Sequence, residues 1–480
     1  MTAVIVALLA LPLAALRPFQ QPTMTPMPST AEEKLPDSFK ISIAPAVSPA
    51  APDIKPAVIM AAKQPVSQPR WSCEKYPVGT ELYGNSTHIS QHSDSDGDRM
   101  DMLLSESGHC REAAIIGKAV FSPDEKHIAQ LAPGGFARFR ERTASFDRAV
   151  SITPVGDGSL SYTALVDGRT VPFDGTMQSW LEQLLPTLVR EMGINVPARV
   201  ARLRAQGGVP AVLQEIASIR SNGSKRMHYE ELIKKGPTLS AADVEKITQQ
   251  VGRDLTSSGD LSAVLQMLPR SALQSAGARR GVADALSRIQ SSGDKANTLQ
   301  VLAPTADPEL LLLLAQAAEQ LPSSGDKATF LMSTAAEYLT PASQSLRNAF
   351  FRTASTLKSS GDMANVLIIS TPYGHADPQI ALQIVETSKA LASSGDAQNV
   401  LISLVSQRVL RPGMERATLG AIQRTLTMAS SGDRANVLIS IANANLLTTR
   451  DVKDAFAKAA IALPSEGDRA NVLAAAARSQ

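Results

Sequence analysis

The spacing of apolar residues divides the chain near residue 175. In residues 71–175 apolar and polar side chains alternate, as at Leu160 and Tyr162, and Asp167-Gly168 separates two such runs. Alternation is typical of half-buried strands, and Asp-Gly between two runs indicates a hairpin because both central positions need a positive φ. We therefore predict that residues 71–175 form a small antiparallel β-rich unit of six to eight strands.

Beyond this point apolar residues recur at steps of three and four, as in WLEQLLPTLVREMG and VPAVLQEIASIR. This spacing is typical of amphipathic helices. Residues 176–250 are predicted to be a helical connector, and residues 251–480 an α-helical repeat array. The fold class is therefore predicted to be α+β, with the β-unit preceding an α-solenoid.

A short segment related to SSGDRANVL recurs along the array. Its Gly-Asp pairs are separated by 32–37 residues and begin at positions 259, 293, 325, 361, 395, 432 and 467. A degenerate copy at Asn222-Gly223 precedes them. A period near 35 indicates stacked two-helix repeats of the TPR or HEAT size, about eight in number.

The conserved spacing within the copies predicts a role for each position. The Gly is predicted to take the left-handed conformation that ends one helix, and the Asp to cap the next helix. Asp307-Pro308, Thr340-Pro341 and Asp377-Pro378 are predicted to start the other helix of their repeats. The fifth residue after each Asp is predicted to be buried and is always Leu: Leu265, Leu299, Leu331, Leu367, Leu401, Leu438 and Leu473.

The third residue after the Asp is Asn in five copies. In one interpretation it is the third residue of a helix and bonds back to the cap, as Glu does in a capping box. In the other, the five amides form a row on one face of the solenoid and bind a protein or peptide partner. The residues concerned are Asn297, Asn365, Asn399, Asn436 and Asn471.

The chain starts with an uncharged apolar run, residues 3–16. The run is short for a spanning helix, which needs about 20 residues, and it lacks the basic start of a signal peptide. We interpret residues 1–16 as a signal-like or membrane-anchor segment, with a buried helix as the alternative. Residues 17–70 contain eleven prolines and no apolar period, which predicts a disordered linker. The bulk of the chain is therefore predicted to be extracytoplasmic, in the periplasm.

Cys73 and Cys110 are the two cysteines of the chain. In an exported protein such a pair is predicted to form a disulfide, since that compartment is oxidising; the alternative is two unrelated buried thiols. A bridge would close a loop of 38 residues and stabilise the fold by roughly 3–4 kcal/mol.

Composition narrows the functional classes. The aromatic share is 4% while the apolar share is 44%, which favours helices with small contact residues. With 47 basic and 45 acidic residues, the net charge is only +2, so no nucleic-acid partner is predicted.

Two segments resemble metal sites. His88 and His92 have the spacing of a helical zinc pair, but Ile89 stands where a metallopeptidase needs Glu, so a surface pair is predicted. The acidic run 93–102 has Arg99 where a calcium-binding loop needs Gly, which indicates an acidic loop tip rather than a calcium site. No metal or other cofactor is predicted.

Two copies of the repeat also match S-x-x-K, the motif of penicillin-recognising serine enzymes, at Ser292–Lys295 and Ser324–Lys327. The Lys changes to Leu, Met, Ala or Arg in the other copies, and neither K-T-G nor S-D-N accompanies it. No catalytic residue is therefore predicted.

Several segments occur in a familiar order. LALPLAALRP is followed by WSC at 71–73, SPDEKHIAQLAPGGFARFRER at 122–142, DGSLSYTALVDGR at 157–169 and WLEQLLPTLVREMGINVPARVARL at 180–203. This order resembles the extracytoplasmic C-terminal region of some bacterial membrane zinc peptidases related to the beta-lactamase and methicillin-resistance regulators. The resemblance implies a sensory or interaction role. Because the chain contains no HExxH, no catalytic residue of that family is transferred to it.

Together these observations predict a non-enzymatic, membrane-tethered, extracytoplasmic sensor or protein-interaction module that uses its helical-repeat surface. The alternative is the sensing half of a split or truncated regulatory membrane zinc metallopeptidase. A third class, a hydrolase with a site of unfamiliar pattern, also stays open.

Overall fold

The computed structural model describes residues 73, 87–94, 97–106, 109–235, 239–340 and 343–479. The predicted anchor segment 1–16 and the predicted linker 17–70 lie outside these residues. Within them, no helix combines the length and the apolar character that crossing a membrane requires.

The first part of the described chain is an antiparallel β-unit. Seven strands form one sheet in the order β1-β2-β3-β6-β7-β8-β9, and β4 pairs with β5 separately. The strands are β1 Thr87–Asp94, β2 Gly97–Glu106, β3 His109–Ile116, β4 Ala119–Phe121, β5 Ile128–Leu131, β6 Phe136–Arg142, β7 Asp147–Pro154, β8 Leu160–Val166 and β9 Arg169–Val171.

The predicted Asp-Gly hairpin is confirmed. Asp167 and Gly168 join β8 to β9 with φ of 51° and 77°, so both central positions are left-handed. One face of the sheet supplies Phe139, Val150 and Ile152 to a core that the first helix covers with Trp180.

Eighteen α-helices follow within the described residues. They are α1 Gly175–Glu191, α2 Val196–Ser218, α3 Asn222–Glu230, α4 Ala241–Asp254, α5 Ser258–Gln266, α6 Ala276–Arg288, α7 Ser292–Leu302, α8 Pro308–Glu319, α9 Ser324–Ser333, α10 Ala335–Leu339, α11 Gln344–Ser355, α12 Ser360–Ser370, α13 Pro378–Ser388, α14 Ser394–Ser406, α15 Glu415–Thr425, α16 Ser431–Asn443, α17 Arg450–Ile461 and α18 Glu466–Arg478.

The helices stack in two layers, which confirms the predicted α-solenoid. The layer that we call A contains α4, α6, α8, α11, α13, α15 and α17, and layer B contains α3, α5, α7, α9, α12, α14, α16 and α18. Gly207 and Gly208 interrupt α2, and its second half serves as the A helix of α3. Eight helix pairs result in the described chain, around one continuous apolar core.

The roles predicted for Gly and Asp in the repeated motif were wrong. In all seven copies the first Ser is the helix cap, and its hydroxyl accepts a hydrogen bond from the Asp backbone N–H. The Asp is the third helical residue and the Gly the second, and no motif Gly has a positive φ. Because the Ser hydroxyl three residues earlier accepts from this N–H group, the Asp carboxylate is not needed as the cap and is left to interact with the helix dipole.

The second Ser of the motif connects successive repeats. Ser324 Oγ accepts from Ser359 N at 3.2 Å, and Ser360 Oγ accepts from Ser393 N at 3.1 Å. The same bond recurs from Ser394 to the next copy and from Ser431 to the last. The motif therefore caps its own helix and also fixes the distance to its neighbour.

The conserved Leu is fully buried in six copies, whereas Leu473 is 48% exposed. Leu473 lies on α18, whose outer side no other described helix covers. Pro308 and Pro378 start α8 and α13 as predicted. Helix α11 instead begins at Gln344 behind Ser343, and Thr340 ends α10, so the start predicted there was wrong.

Candidate functional site

The five asparagines lie on layer B and point outward. Each is the sixth residue of its helix and is exposed to solvent: Asn297 on α7, Asn365 on α12, Asn399 on α14, Asn436 on α16 and Asn471 on α18. The capping interpretation was therefore wrong, because the sixth residue lies beyond the first turn, where free N–H groups occur.

The five side chains occupy equivalent places on stacked helices, and we call them the asparagine row. Helix α9 interrupts the row between Asn297 and Asn365 because Thr329 takes the equivalent position. Asn436 Nδ2 donates to Gln398 Oε1 of α14 at 3.0 Å, which links two neighbouring repeats. The row offers amide donors and acceptors along one face of the array.

A groove with a volume of about 800 Å³ opens on this face between α14 and α16. Its floor includes Ile402 and Ile439, both half-buried, and the polar side chains of Asn436 and Asn443 stand beside them. This volume lies within the range of about 300–1,000 Å³ that is usual for ligand clefts. We call it the α14–α16 groove.

Two arginines border the groove at the end of α14. Arg408 and Arg411 are exposed, and among the described residues neither has an ion pair or a side-chain hydrogen bond. The lining contains no acidic residue. The groove therefore combines an apolar floor, amide groups and two cations.

Neither arginine was predicted from the sequence. The Gly-Asp pairs on either side, at 395 and 432, are 37 residues apart, the longest interval of the series. The additional residues lie in the loop 407–414, which places the arginines beside the groove. The long interval in an otherwise regular repeat is the signal from which the arginines could have been predicted.

In the β-unit the structure joins Cys73 and Cys110 in a disulfide, with a Cα–Cα distance of 5.8 Å. Cys73 N donates to the buried Glu112 carboxylate at 2.7 Å, and Arg142 Nη1 donates to Cys73 O at 3.1 Å. Cys73 is thus held against the sheet through its backbone as well as through the bridge.

The segments that resemble metal or catalytic motifs have structural positions. His88 and His92 lie on strand β1, not on a helix. The described residues contain no group of three or more His, Cys, Asp or Glu placed to hold a metal ion. Burial lowers the pKa of Lys327, and its Nζ donates to Thr356 Oγ1 at 2.7 Å and Glu319 O at 3.0 Å.

No family model matches the chain, and neither a curated protein nor a solved structure matches it. The asparagine row and the α14–α16 groove are accordingly the features on which a function is proposed.

Proposed function

We propose that this protein is a non-enzymatic, membrane-tethered, extracytoplasmic sensor or interaction module that binds a protein or peptide partner on layer B. The observation that carries the proposal is the α14–α16 groove, which opens on the same face as the asparagine row. Amides that recur at one helical position offer hydrogen bonds to a peptide backbone, and half-buried isoleucines offer contacts to its apolar side chains.

The disulfide supports the extracytoplasmic location. Stable disulfides persist in oxidising compartments and are rare in reducing ones. Cys73 lies three residues beyond the predicted linker, so the bridge would fix the start of the folded part to the sheet. A module held in this way beyond the predicted linker suits detection of a partner away from a membrane.

The alternative is the sensing half of a split or truncated regulatory membrane zinc metallopeptidase. The ordered resemblance of 122–142, 157–169 and 180–203 to the outer region of such peptidases favours it. In this alternative the sheet and solenoid report on a ligand, and a separate membrane subunit carries the zinc chemistry. An upstream reading frame in phase with Met1 that encodes HExxH would support it, whereas an immediate stop codon would contradict the truncated form.

The purified full-length chain tests the leading proposal when it is incubated with a defined pool of peptides and analysed by mass spectrometry. We expect a subset of peptides to be retained with unchanged masses. Replacement of Asn399 and Asn436 by Ser should reduce this retention without changing the circular dichroism. Peptide fragments that appear only with the protein would contradict the non-enzymatic assignment, and absence of any retention would contradict the binding role.

A further inference from the structure

We propose that the α14–α16 groove is a binding site for an extended peptide segment that carries carboxylates. This inference rests on the proposed peptide-binding function and adds the location and the charge of the ligand. Its three supports are the unbalanced charge of the lining, the pattern of polar and apolar groups along it, and the backbone conformation of one arginine.

The positive charge of the lining is only partly compensated. Two guanidinium groups, on Arg408 and Arg411, face a groove without a carboxylate. The C-terminal ends of α14 and α16 also lie here, and each contributes roughly half a negative charge. A net positive charge of about one therefore remains, which attracts an anionic ligand and disfavours a cationic one.

The arrangement of the other groups suits an extended chain. Side chains of an extended peptide alternate between two directions. One set can pack on Ile402 and Ile439 while the other set points towards the arginines. Asn436 lies about one helical turn before Ile439 on α16, and Asn443 about one turn after it. Both line the groove, where their amides can pair with the peptide backbone.

Arg408 occupies a position that favours glycine. Its φ is 56°, in the left-handed region that follows the end of α14, where its N–H bonds to Val405 O at 2.9 Å. Asn445 takes the same conformation after α16 with φ of 55°. Gly or Asn is usual at such helix ends because a bulky side chain is strained there. An arginine at this place costs stability, which a role in binding would explain.

The test uses Arg408→Gly and Arg411→Ala in the full-length chain. The probe is a fluorescein-labelled octapeptide of alternating glutamate and leucine, measured by fluorescence anisotropy. Because hydrogen bonds to charged groups are strong, each substitution should weaken binding roughly tenfold. Arg408→Gly should at the same time raise the Tm, since it removes backbone strain. Lower affinity together with higher stability is a pair of effects that a purely structural arginine would not produce.

Arg280→Ala is the matched control, since Arg280 is an exposed arginine on α6, far along the array from the groove. It should leave the affinity unchanged. A second probe replaces each glutamate by glutamine and should bind at least tenfold more weakly in the wild-type chain. Added sodium chloride should reduce the difference between the two probes by screening.

Several outcomes would overturn the inference. Equal binding of both probes would remove the charge requirement, and complete displacement by millimolar inorganic phosphate would make the groove a simple anion site. Self-association that Arg408→Gly abolishes, measured by sedimentation, would make a second copy the occupant. If the acidic probe binds and neither substitution weakens its binding, the α14–α16 groove is not the binding site, while the proposed peptide-binding function stands. If the groove probe fails while the peptide pool is still retained, only this inference fails.

Discussion

At the scale of single residues, the two serine hydroxyls of the repeated motif have separate roles. Ser359 caps its own helix through Asp362 N at 3.2 Å, while Ser360 accepts from the next copy. The intervening Gly361 is helical, and an added Cβ would meet nothing within 4 Å. The structure gives no steric or conformational reason for Gly at this position.

Substitutions in this copy separate the two descriptions of the motif. Gly361→Ala should leave the free energy of unfolding unchanged or raise it by up to about 1 kcal/mol, because Gly is disfavoured in helices. Ser359→Ala should lower it by about 1 kcal/mol through loss of the cap. Urea unfolding followed by circular dichroism measures both. A large destabilisation by Gly361→Ala would instead show that this position needs a left-handed backbone.

His228 is a fully buried titratable group. Its Nδ1 donates to Ser224 O at 2.8 Å, and Nε2 has no partner in the described structure. Burial, together with the nearby charges of Arg199 and Arg190, lowers its pKa to about 4, although the hydrogen bond to Ser224 O opposes this shift. The ring is therefore neutral in the folded protein at neutral pH.

The depressed pKa predicts a loss of stability in acid. The unfolded imidazole titrates near pH 6.5, so its contribution is complete above that pH and is lost as the pH falls towards 4, to a total of about 3 kcal/mol. Melting temperatures between pH 7 and 4 measure this. In His228→Asn, whose amide can still donate to Ser224 O, the fall in Tm should be smaller. An identical fall in both proteins would exclude His228 as its source.

At the scale of helices, a cation on layer B caps the end of a layer A helix of the next repeat. Lys225 Nζ donates to Asp254 O at 2.7 Å, and Arg434 Nη2 donates to Ala462 O at 3.0 Å. Where Met363 takes the equivalent place, Arg424 from α15 donates to Ser388 O instead. Favourable charge at a helix C-terminus thus explains Lys and Arg at this position, and the arginine that replaces them in the Met363 copy.

Lys327→Met should reveal the strength of this capping. The substitution leaves the Thr356 hydroxyl and the Glu319 carbonyl without their donor, so the free energy of unfolding should fall by about 1–3 kcal/mol. Lys358→Met, at an exposed neighbouring lysine, should change it by less than about 0.5 kcal/mol. Equal effects of the two substitutions in urea unfolding would contradict the capping role.

At the scale of the whole molecule, a buried ion pair joins the β-unit to the helices. Arg199 on α2 contacts Glu125, which lies in the turn between β4 and β5, and both are almost fully buried. Arg202 Nη1 also donates to Pro123 O of this turn at 2.7 Å. Sequence pattern did not predict this joint, because it unites residues far apart in the chain.

Removal of one partner should loosen the joint. Arg199→Ala leaves a buried carboxylate unpaired and should cost about 3–5 kcal/mol, whereas the double replacement Arg199→Met with Glu125→Leu should cost much less. In a Trp71→Phe background, Trp180 reports on the sheet core, and circular dichroism reports mainly on the array. The urea midpoint from fluorescence should fall further than the midpoint from circular dichroism. Parallel shifts of the two would indicate that the pair does not act at this junction.

The sequence by itself determined the class of fold, the period of the array and the buried leucines. These features follow from local properties, because alternation, helical spacing and repetition are visible within short stretches of sequence. The burial of Leu299 and the turn at Asp167-Gly168 are examples that could be predicted in this way. The role of helix cap was assigned to Asp instead of Ser, because both residues stabilise helix starts. Only the backbone geometry distinguishes the cap from the third helical residue.

Tertiary structure alone decided how distant residues meet. It placed the asparagines outward by stacking the B helices, opened the α14–α16 groove beside a loop of unusual length, and paired Arg199 with Glu125. These features depend on which repeats are neighbours and on the angle at which they stack, which no short window of residues encodes. Packing therefore created the groove from residues whose local pattern indicated only a helix and the loop behind it.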